Sequence, residues 1–459
     1  MKNWRNPLWL WIFGLVYAGA FHWCYYYYLY AVWEYMGFTY LEPPFAMLLA
    51  GYGAASLGAS FLPTLLERPS HLILWVIYLV VYVPSILVPV FLHLSSDSAV
   101  LELMGALLIG LAIISLMSRL RLRKVPFNPL PTKFFITPAI IFTLLLLVWV
   151  VIIYNGRFSL VSFDQVYENV RADAASIEAG TGVSYAVSWL SYFIFPLVMT
   201  LGLSRRNILL FLLSSAGLIL MYSTSGLRSV AVSIITIPAF YYYFATHRRP
   251  SGYVIGLGLM SVLVGLTLLS LGTDIGEIPG LQTVLSLVLM RTAGITGYLT
   301  GLYYDFFQGH PLTYFTHLKF FTMAGVGAYD QQLGVVIART YTQNTDVCMN
   351  ANFWATDGVA ALGLVGIPVI SVVIGGIFHA IDVVSQRHRL EFVVASLIPI
   401  ILLMCNISIF TTLLTGGLGF WLVAMSFMDP RVAYSKSTMS HSSVAGKIGQ
   451  PAAIPFSRS

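Results

Sequence analysis

Residues 71–93 read HLILWVIYLVVYVPSILVPVFLH, a run without a single Asp, Glu, Lys or Arg. A helix needs about 20 apolar residues to cross the hydrocarbon of a bilayer, so this run is long enough to span a membrane. Similar runs recur from one end of the chain to the other. Only 9% of the 459 residues are charged, against about 25% in soluble domains. Because so few charges cannot cover a water-facing surface, we predict an all-α polytopic membrane protein.

The apolar runs predict about twelve transmembrane helices in a single integrated domain, residues 1–430. They are expected near residues 8–32, 44–66, 71–93, 99–117, 135–154, 184–203, 208–223, 229–246, 253–272, 359–384, 391–408 and 411–428. The first run has no small-residue cleavage site, so it is predicted to be a retained anchor. The tail, residues 431–459, is rich in Ser, Ala and Pro and is predicted to be disordered in the cytoplasm.

Basic residues alternate between the predicted connections, as they do when Lys- and Arg-rich loops stay in the cytoplasm. One set of connections and termini holds 18 of the 24 basic and 4 of the 18 acidic residues, a net charge of +14. The other set holds 6 basic and 14 acidic residues, a net charge of −8. Both termini are therefore predicted to be cytoplasmic. The overall charge of +6 then reflects topology and anionic inner-leaflet lipid rather than nucleic-acid binding.

Two of the predicted outer loops are long, residues 155–183 and residues 273–358. Long connections in a compact protein are usually functional or disordered. The second contains LQTVLSLVLMRTAGITGYLTGLYYDFF, residues 281–307, which is too apolar for disorder. We expect this loop to contain helices that lie on the membrane or partly in it.

The stretch MYSTSGLRSV, residues 221–230, places an arginine at a short outer turn between two predicted spans. Arg228 stands among hydroxyl residues that include Ser225 and Ser229, and Gly226 lets the backbone approach a ligand closely. A guanidinium is a rigid fork of donors that matches phosphate, and amides at a helix start also favour an anion. The turn is predicted to bind an anion. The competing interpretation is an arginine that reaches from a helix end to the lipid headgroups.

Arg291 is the second candidate because it interrupts an apolar stretch, where a charge is costly unless it is paired or faces water. The alternative is a helix at the membrane surface with one solvated charge. Three further outer residues are weaker candidates for substrate binding, since polar loops normally carry some charge: Arg157, Arg171 and Lys319.

Four residues near the outer face could move a proton or stabilise positive charge: Asp305, His310, His317 and Asp357. Histidine accepts a proton near neutral pH, and a carboxylate can do so or stabilise positive charge. Each of them taken alone is equally explained as a solvated or headgroup-facing residue. The chain has no HExxH or P-loop pattern, no Ser/His/Asp order and no Cys/His cluster. We therefore predict neither a metal nor a cofactor.

The turn STSGLRS at 223–229 resembles the glycine–arginine turn of bacterial oligosaccharide-repeat-unit polymerases of the Wzy type, the O-antigen polymerases. The large late outer loop and FWATDGVAALGLVGIP at 353–368 are similar to that family as well. A smaller similarity is Arg171 and Gly182 with ten residues between them, which matches a pattern of some members. The resemblance is architectural over most of the chain, and its motifs are short.

The resemblance implies a glycosyltransferase of the GT-C-like class in the bacterial inner membrane. Its substrate would be an undecaprenyl-pyrophosphate-linked oligosaccharide on the periplasmic face, and its partners membrane lipids and a chain-length regulator protein. Arg228 and Arg291 would stabilise the pyrophosphate that leaves, replacing a divalent cation. One of the four acid/base candidates would activate the acceptor hydroxyl.

Two other functions remain open on the sequence. An O-antigen ligase shares the large late loop and the arginines, but its histidine-bearing loop motif is not clearly matched. A lipid-linked oligosaccharide flippase or secondary transporter also suits twelve spans. Transporters commonly have repeated halves and charges near the midplane, whereas here the charges gather at the outer face.

Overall fold

The computed structural model describes residues 7–123, 125, 127–154, 181–226, 228–273, 280–318, 321, 325–342 and 348–433. In these residues the chain is helical, with one isolated β-bridge between Leu65 and Ser251. Nine helices of the described part are long and apolar enough to cross a membrane. This confirms a polytopic helical protein.

In the described residues, nine helices correspond to the first nine predicted spans, although the second ends at Ala59 and is shorter than the predicted span 44–66. They are α1 (Pro7–Met36), α2 (Phe45–Ala59), α3 (Pro69–Leu92), α4 (Asp97–Ser118), α5 (Thr132–Tyr154), α6 (Gly182–Arg205), α7 (Ile208–Ser225), α8 (Arg228–Thr246) and α9 (Gly252–Gly272). α3 is buried on all sides and forms the centre of the bundle, whereas α5 lies at its edge. This position explains why the run 71–93 is apolar on every face.

The later helices are less regular. They are α10 (281–309), α11 (Leu333–Thr342), α12 (354–362), α13 (Gly366–Ser385), α14 (Leu390–Met404), α15 (Ile409–Leu414), α16 (Leu418–Phe427) and the four-residue α17 (Pro430–Ala433). Several helices contain widened π-helical turns, at Tyr25–Tyr30, Tyr78–Tyr82, Leu190–Ile194, Ser286–Gly294 and Trp354–Val359. Such turns occur frequently at functional sites, which directs attention to the last of them.

Arginine-bearing connections meet at one end of the bundle, which we call the basic face. It is formed by residues 60–68, 119–123, 127–131, 206–207, 247–251, 386–389 and 428–433. Arg68 donates to the backbone oxygen of Ser118 at 3.0 Å, and Arg387 donates to that of Phe127. The structure thus brings together loops that the charge pattern assigns to one side. The other end of the bundle is the opposite face, and its exposure to the periplasm remains a prediction.

The orientation can be tested with the native cysteines. Cys348 is exposed on the opposite face, whereas Cys24 and Cys405 are buried. We expect a membrane-impermeant maleimide added to intact cells to label Cys348. A cysteine introduced at Asn128, on the basic face, in a Cys348→Ser background should stay unlabelled until the membrane is opened. Labelling at position 128 without labelling at Cys348 would reverse the orientation.

Part of the predicted loop 273–358 packs inside the bundle. α10 runs beside the second half of α3, where Ser85 Oγ lies 2.9 Å from Thr300 Oγ1. Nearer the opposite face, Gln308 Nε2 donates to Ser95 Oγ at 2.8 Å. The second half of α10 is therefore a helix of the membrane-embedded core, and the outer segment proper begins near residue 310.

Residues 348–366 form a re-entrant hairpin that dips from the opposite face into the bundle and returns. Trp354 Nε1 donates to Ser371 Oγ at 2.9 Å, so α12 starts level with the second turn of α13. The chain reverses at Gly363, whose φ of +63° favours glycine. The predicted span 359–384 therefore differs from the structure: its first residues belong to the rising arm and only α13 crosses.

The buried start of the hairpin is held by one side chain. Asn352 Oδ1 accepts hydrogen bonds from the amides of Trp354 and Ala355 at 3.0 and 3.3 Å. Its Nδ2 donates to Thr300 Oγ1 at 2.8 Å. Irregular backbone at membrane depth needs such partners, because no lipid can satisfy its amides. Asn352 thus makes the irregular backbone at the start of α12 possible.

The rising arm, α12, touches the start of α13 through glycine. A Cβ on Gly366 would stand 2.0 Å from the backbone oxygen of Gly358, whereas one on Gly376 of the same helix would meet nothing within 4 Å. We expect Gly366→Ala to lower the stability of the protein in detergent by about 1–3 kcal/mol. The matched control Gly376→Ala should leave it unchanged or raise it. Equal melting temperatures for the two variants would argue against the hairpin.

The last two predicted spans, 391–408 and 411–428, are shorter in the structure. α14 ends at Met404, and Ser408 then caps the short α15, its hydroxyl accepting from the amides of Phe410 and Thr411. α16 has 10 residues, about 15 Å of helix, half of a hydrocarbon core. Glycine breaks this segment too, since Gly417 has a φ of +81°. The broken helices shape the opposite face around the end of the hairpin.

Candidate functional site

His317 and Asp357, two of the predicted acid/base residues, lie together at the opposite face. His317 Nε2 is 3.5 Å from Asp357 Oδ1. Forty positions separate them in the sequence, and the hairpin is what brings them together. His317 lies in the segment after α10, which is tied to α12 by a bond from the amide of Thr313 to the oxygen of Ala360 at 2.8 Å. The sequence named both residues without pairing them.

The Asp357 carboxylate is fully buried and has a structural partner on each oxygen. Oδ1 accepts from the Ser408 hydroxyl at 2.6 Å, and Oδ2 accepts from the amide of Ile409 at 2.6 Å. These bonds join the hairpin to the N-terminus of α15, where a carboxylate is favourable. Asp357 therefore anchors α15 as well as facing His317.

The imidazole of His317 is held at both nitrogens. Nδ1 lies 2.8 Å from Thr313 Oγ1, and Nε2 faces Asp357. A lone pair on Nε2 would repel the carboxylate, so the proton belongs on Nε2, and Nδ1 is the nitrogen able to accept one. A carboxylate, a histidine and a hydroxyl in this order resemble a nucleophile with its base. However, Thr313 is fully buried, so its hydroxyl is not presented to a substrate.

The backbone before His317 adopts an uncommon conformation. Tyr314 and Phe315 have φ values of +45° and +66°, which non-glycine residues adopt rarely. Strain of this kind costs on the order of 1–3 kcal/mol per residue and clusters at active and ligand sites. The Phe315 ring packs edge-on against Phe410 of α15, at 6.1 Å between centroids. The tight turn and this contact place the imidazole against the hairpin.

Arg228 begins α8 at the same end of the bundle. Gly226 caps α7 with a φ of +61°, as the sequence predicts for a tight turn. The Ser229 hydroxyl lies 3.1 Å from Tyr192 OH of α6, and α8 packs along α14. Since α14 leads to Ser408, the turn and the pair of Asp357 with His317 flank the same helix.

Two of the hydroxyls near Arg228 in the sequence donate their protons within α7. Ser225 Oγ donates to the oxygen of Met221 at 2.7 Å, and Ser223 donates to that of Leu220 at 2.8 Å. Their protons satisfy α7 itself, as is common for Ser within a helix. The first amides of a helix find no acceptor within that helix, so those of α8 are better placed to bind an anion than these hydroxyls.

Asp305 and His310 lie at the end of α10, apart from the pair. Asp305 accepts from Ser95 Oγ at 3.1 Å and from Tyr341 OH at 2.6 Å. Burial and, after it, the neighbouring Asp305 raise the pKa of Tyr341, so the phenol stays protonated and donates. His310 is exposed and stacks on Phe306, with 3.8 Å between ring centroids. Both residues have local structural partners.

Arg291 lies in the widened turn of α10 and is exposed. This turn packs against the Tyr25–Tyr30 turn of α1 and against α9, whereas α8 packs against α6, α7 and α14. The two predicted arginines therefore stand on helices with different neighbours. The substrate-binding candidates Arg157, Arg171 and Lys319 lie outside the described residues.

A cavity of about 320 Å³ opens beside the hairpin at the opposite face. Tyr304 and Phe307 of α10 form an aromatic wall, and Glu102 and Gln308 supply polar groups. Gly363, at the turn between α12 and α13, closes one side. The sequence gives no sign of this cavity, because its residues come from α4, α10 and the hairpin, and Glu102 alone suggests an interfacial residue.

Comparison with known proteins identifies no relative. No family model, no curated protein and no solved structure matches the chain. Within the described residues, no three His, Cys, Asp or Glu side chains lie close enough together to hold a metal ion. The case for function therefore comes from the site and from the sequence resemblance.

Proposed function

We propose that this protein is a membrane glycosyltransferase that joins lipid-linked oligosaccharide units at the opposite face, as a repeat-unit polymerase does. The observation that carries the proposal is the buried Asp357 beside His317, on a re-entrant hairpin that faces the end of α14. A histidine oriented by a carboxylate is the usual means of taking a proton from a hydroxyl. Its place at one end of a membrane bundle suits a substrate whose lipid remains in the bilayer.

The donor substrate is assigned to the turn before α8. The pyrophosphate of a polyprenyl carrier cannot sink below the headgroups, and the start of a helix at that level offers free amide donors. Arg228 adds a guanidinium to those amides. Hydrogen-bond donors and positive charge at this point would stabilise the charge that develops on the leaving phosphate.

The acceptor is assigned to the cavity beside the hairpin. Its volume of about 320 Å³ lies at the lower end of the range of small-ligand sites, roughly 300–1,000 Å³. Sugars pack their C–H faces on aromatic rings and bond their hydroxyls to carboxylates and amides, and Tyr304, Glu102 and Gln308 offer these groups. Val359 also lines the cavity, so the cavity borders the rising arm that carries Asp357.

In the proposed reaction, an acceptor hydroxyl oxygen attacks the anomeric carbon of the donor sugar. The new glycosidic C–O bond forms as the bond from that carbon to the pyrophosphate oxygen breaks. The bonding electrons leave with the pyrophosphate, near Arg228. We propose that acceptor binding displaces the Thr313 hydroxyl from Nδ1 of His317, and that Nδ1 then takes the hydroxyl proton while Asp357 stabilises the imidazolium through Nε2.

Purified protein incubated with the lipid-linked repeat extracted from its host tests the proposal. A ladder of products that differ by one repeat supports it. A single product formed only when a lipid A core acceptor is added would indicate a ligase instead. No glycosidic product with either acceptor would reject a glycosyltransferase.

A transporter is the second candidate, and one observation favours it. The helices are interrupted at Gly363 and again between α14 and α16, and discontinuous helices form the substrate sites of many transporters. Movement of a fluorescent lipid-linked sugar across vesicles that contain the protein, without any change in its chain length, would favour this function over polymerisation.

A further inference from the structure

A second cavity, of about 430 Å³, opens at the basic face, far along α13 from the hairpin. Its wall is mostly apolar, formed by Phe127, Ala380, Val383 and Val384. Arg123 stands at its edge, on the connection after α4. An apolar cleft with a cation at the membrane surface has the form of a site for a lipid, with acyl chains below and a headgroup above.

His379 adds a polar group to this cavity. The ring lines the wall, and its Nδ1 is buried with no hydrogen-bond partner among the described residues. Buried polar atoms nearly always form hydrogen bonds, so a buried atom without a partner can indicate the place of a bound ligand. A partly hidden imidazole and an exposed guanidinium together would suit a phosphate.

The charges around the cavity favour an anion. Arg387 lies behind it and donates to the backbone oxygens of Phe127 and Ser426, and no acidic side chain of the described residues pairs with it. The acidic groups close by are turned away. Asp382 accepts from Ser70 of α3 at 2.6 Å, and Asp429 accepts from the amide of Arg431.

We propose that this cavity binds an anionic phospholipid, with the phosphodiester at Arg123 and His379 and the acyl chains along the apolar wall. Basic pockets between helices recognise such headgroups. The apolar wall favours a lipid over a free phosphate, which would leave that wall uncovered. The proposal requires nothing of the reaction at the opposite face.

Native mass spectrometry of the detergent-purified protein tests the site, with phosphatidylglycerol and phosphatidylcholine of identical acyl chains as probes. We expect the protein to retain phosphatidylglycerol preferentially. Arg123→Ala should weaken that binding about fivefold, as expected for one basic residue at an anionic headgroup. His379→Ala should weaken it more than Arg123→Ala does. Arg121→Ala is the matched control, because Arg121 is exposed on the same connection and does not line the cavity.

Equal retention of the two lipids would overturn the proposal, as would an Arg121→Ala variant that loses as much binding as Arg123→Ala. Displacement of the lipid by an excess of inorganic phosphate would show that the site takes a free anion instead. Arg123 lies on a surface connection, so its replacement keeps the test valid even if His379→Ala does not fold.

Discussion

His317→Ala is expected to lower the rate of glycosyl transfer by a factor of about 10²–10⁴, the usual contribution of a general base. The variant removes Nδ1, the nitrogen that accepts the proton, and leaves the Asp357 bonds to Ser408 and Ile409 in place. Amounts of inserted protein should therefore stay close to wild type. The measurement is the initial rate of ladder formation with purified, lipid-reconstituted protein.

His310→Ala is the matched control, because His310 is an exposed histidine of the same segment that stacks on Phe306. Its rate should stay within a few-fold of wild type. If the His310 variant loses activity and the His317 variant keeps it, the general base has been assigned to the wrong histidine. If both keep it, neither residue moves the proton.

The two roles of Asp357 can be separated by the choice of substitution. An asparagine can still accept from the Ile409 amide through its oxygen and donate to the Ser408 hydroxyl, which both donates and accepts. Asp357→Asn should thus insert normally and lose activity with the carboxylate charge. Asp357→Ala leaves the buried amide of Ile409 without a partner, at a cost of about 1–3 kcal/mol, so it should melt at a lower temperature too.

The helices could largely be predicted from the sequence, because twelve apolar runs each correspond to an apolar helix. The interruptions of these helices, at Gly363 and between α14 and α16, could not be predicted. The run after Phe353 is apolar on both sides of Gly363, so composition gives no sign that the chain reverses there. What decides the reversal is a three-dimensional contact, the approach of Gly366 to Gly358, together with the bonds of Asn352.

The sequence predicted which residues could form the candidate site. It did not predict that His317 and Asp357 lie next to each other. His317 and Asp357 each have a bland explanation in the sequence, and only the hairpin makes them neighbours. Glu102 and Gln308, in contrast, were not predicted as site residues. In the sequence, a carboxylate near a helix end and an amide in a predicted loop are both ordinary. Their shared cavity depends on how α10 packs against α3 and α4, which the sequence does not show.

Arg228→Ala is expected to stop elongation, lowering the rate by a factor of about 10²–10³, as for loss of one donor that stabilises transition-state charge. Arg228→Lys should restore little, because an ammonium is a point charge and lacks the two-pronged contact of a guanidinium. Arg157→Ala, in the predicted loop 155–183, is the milder control. The assay is again ladder formation, normalised to inserted protein.

Combining Arg228→Ala with Arg291→Ala decides whether the two arginines share one pyrophosphate. Residues that act on the same group are strongly non-additive, whereas distant and independent residues add. The separate neighbours of α8 and of the widened turn in α10 lead us to expect additive losses, with Arg291 holding another part of the substrate or its lipid. A double variant no worse than Arg228→Ala alone would place both at one phosphate. Near-wild-type ladders from Arg228→Ala would show that the turn does not bind the pyrophosphate. Arg228 would then be an arginine at a helix end that contacts the lipid headgroups.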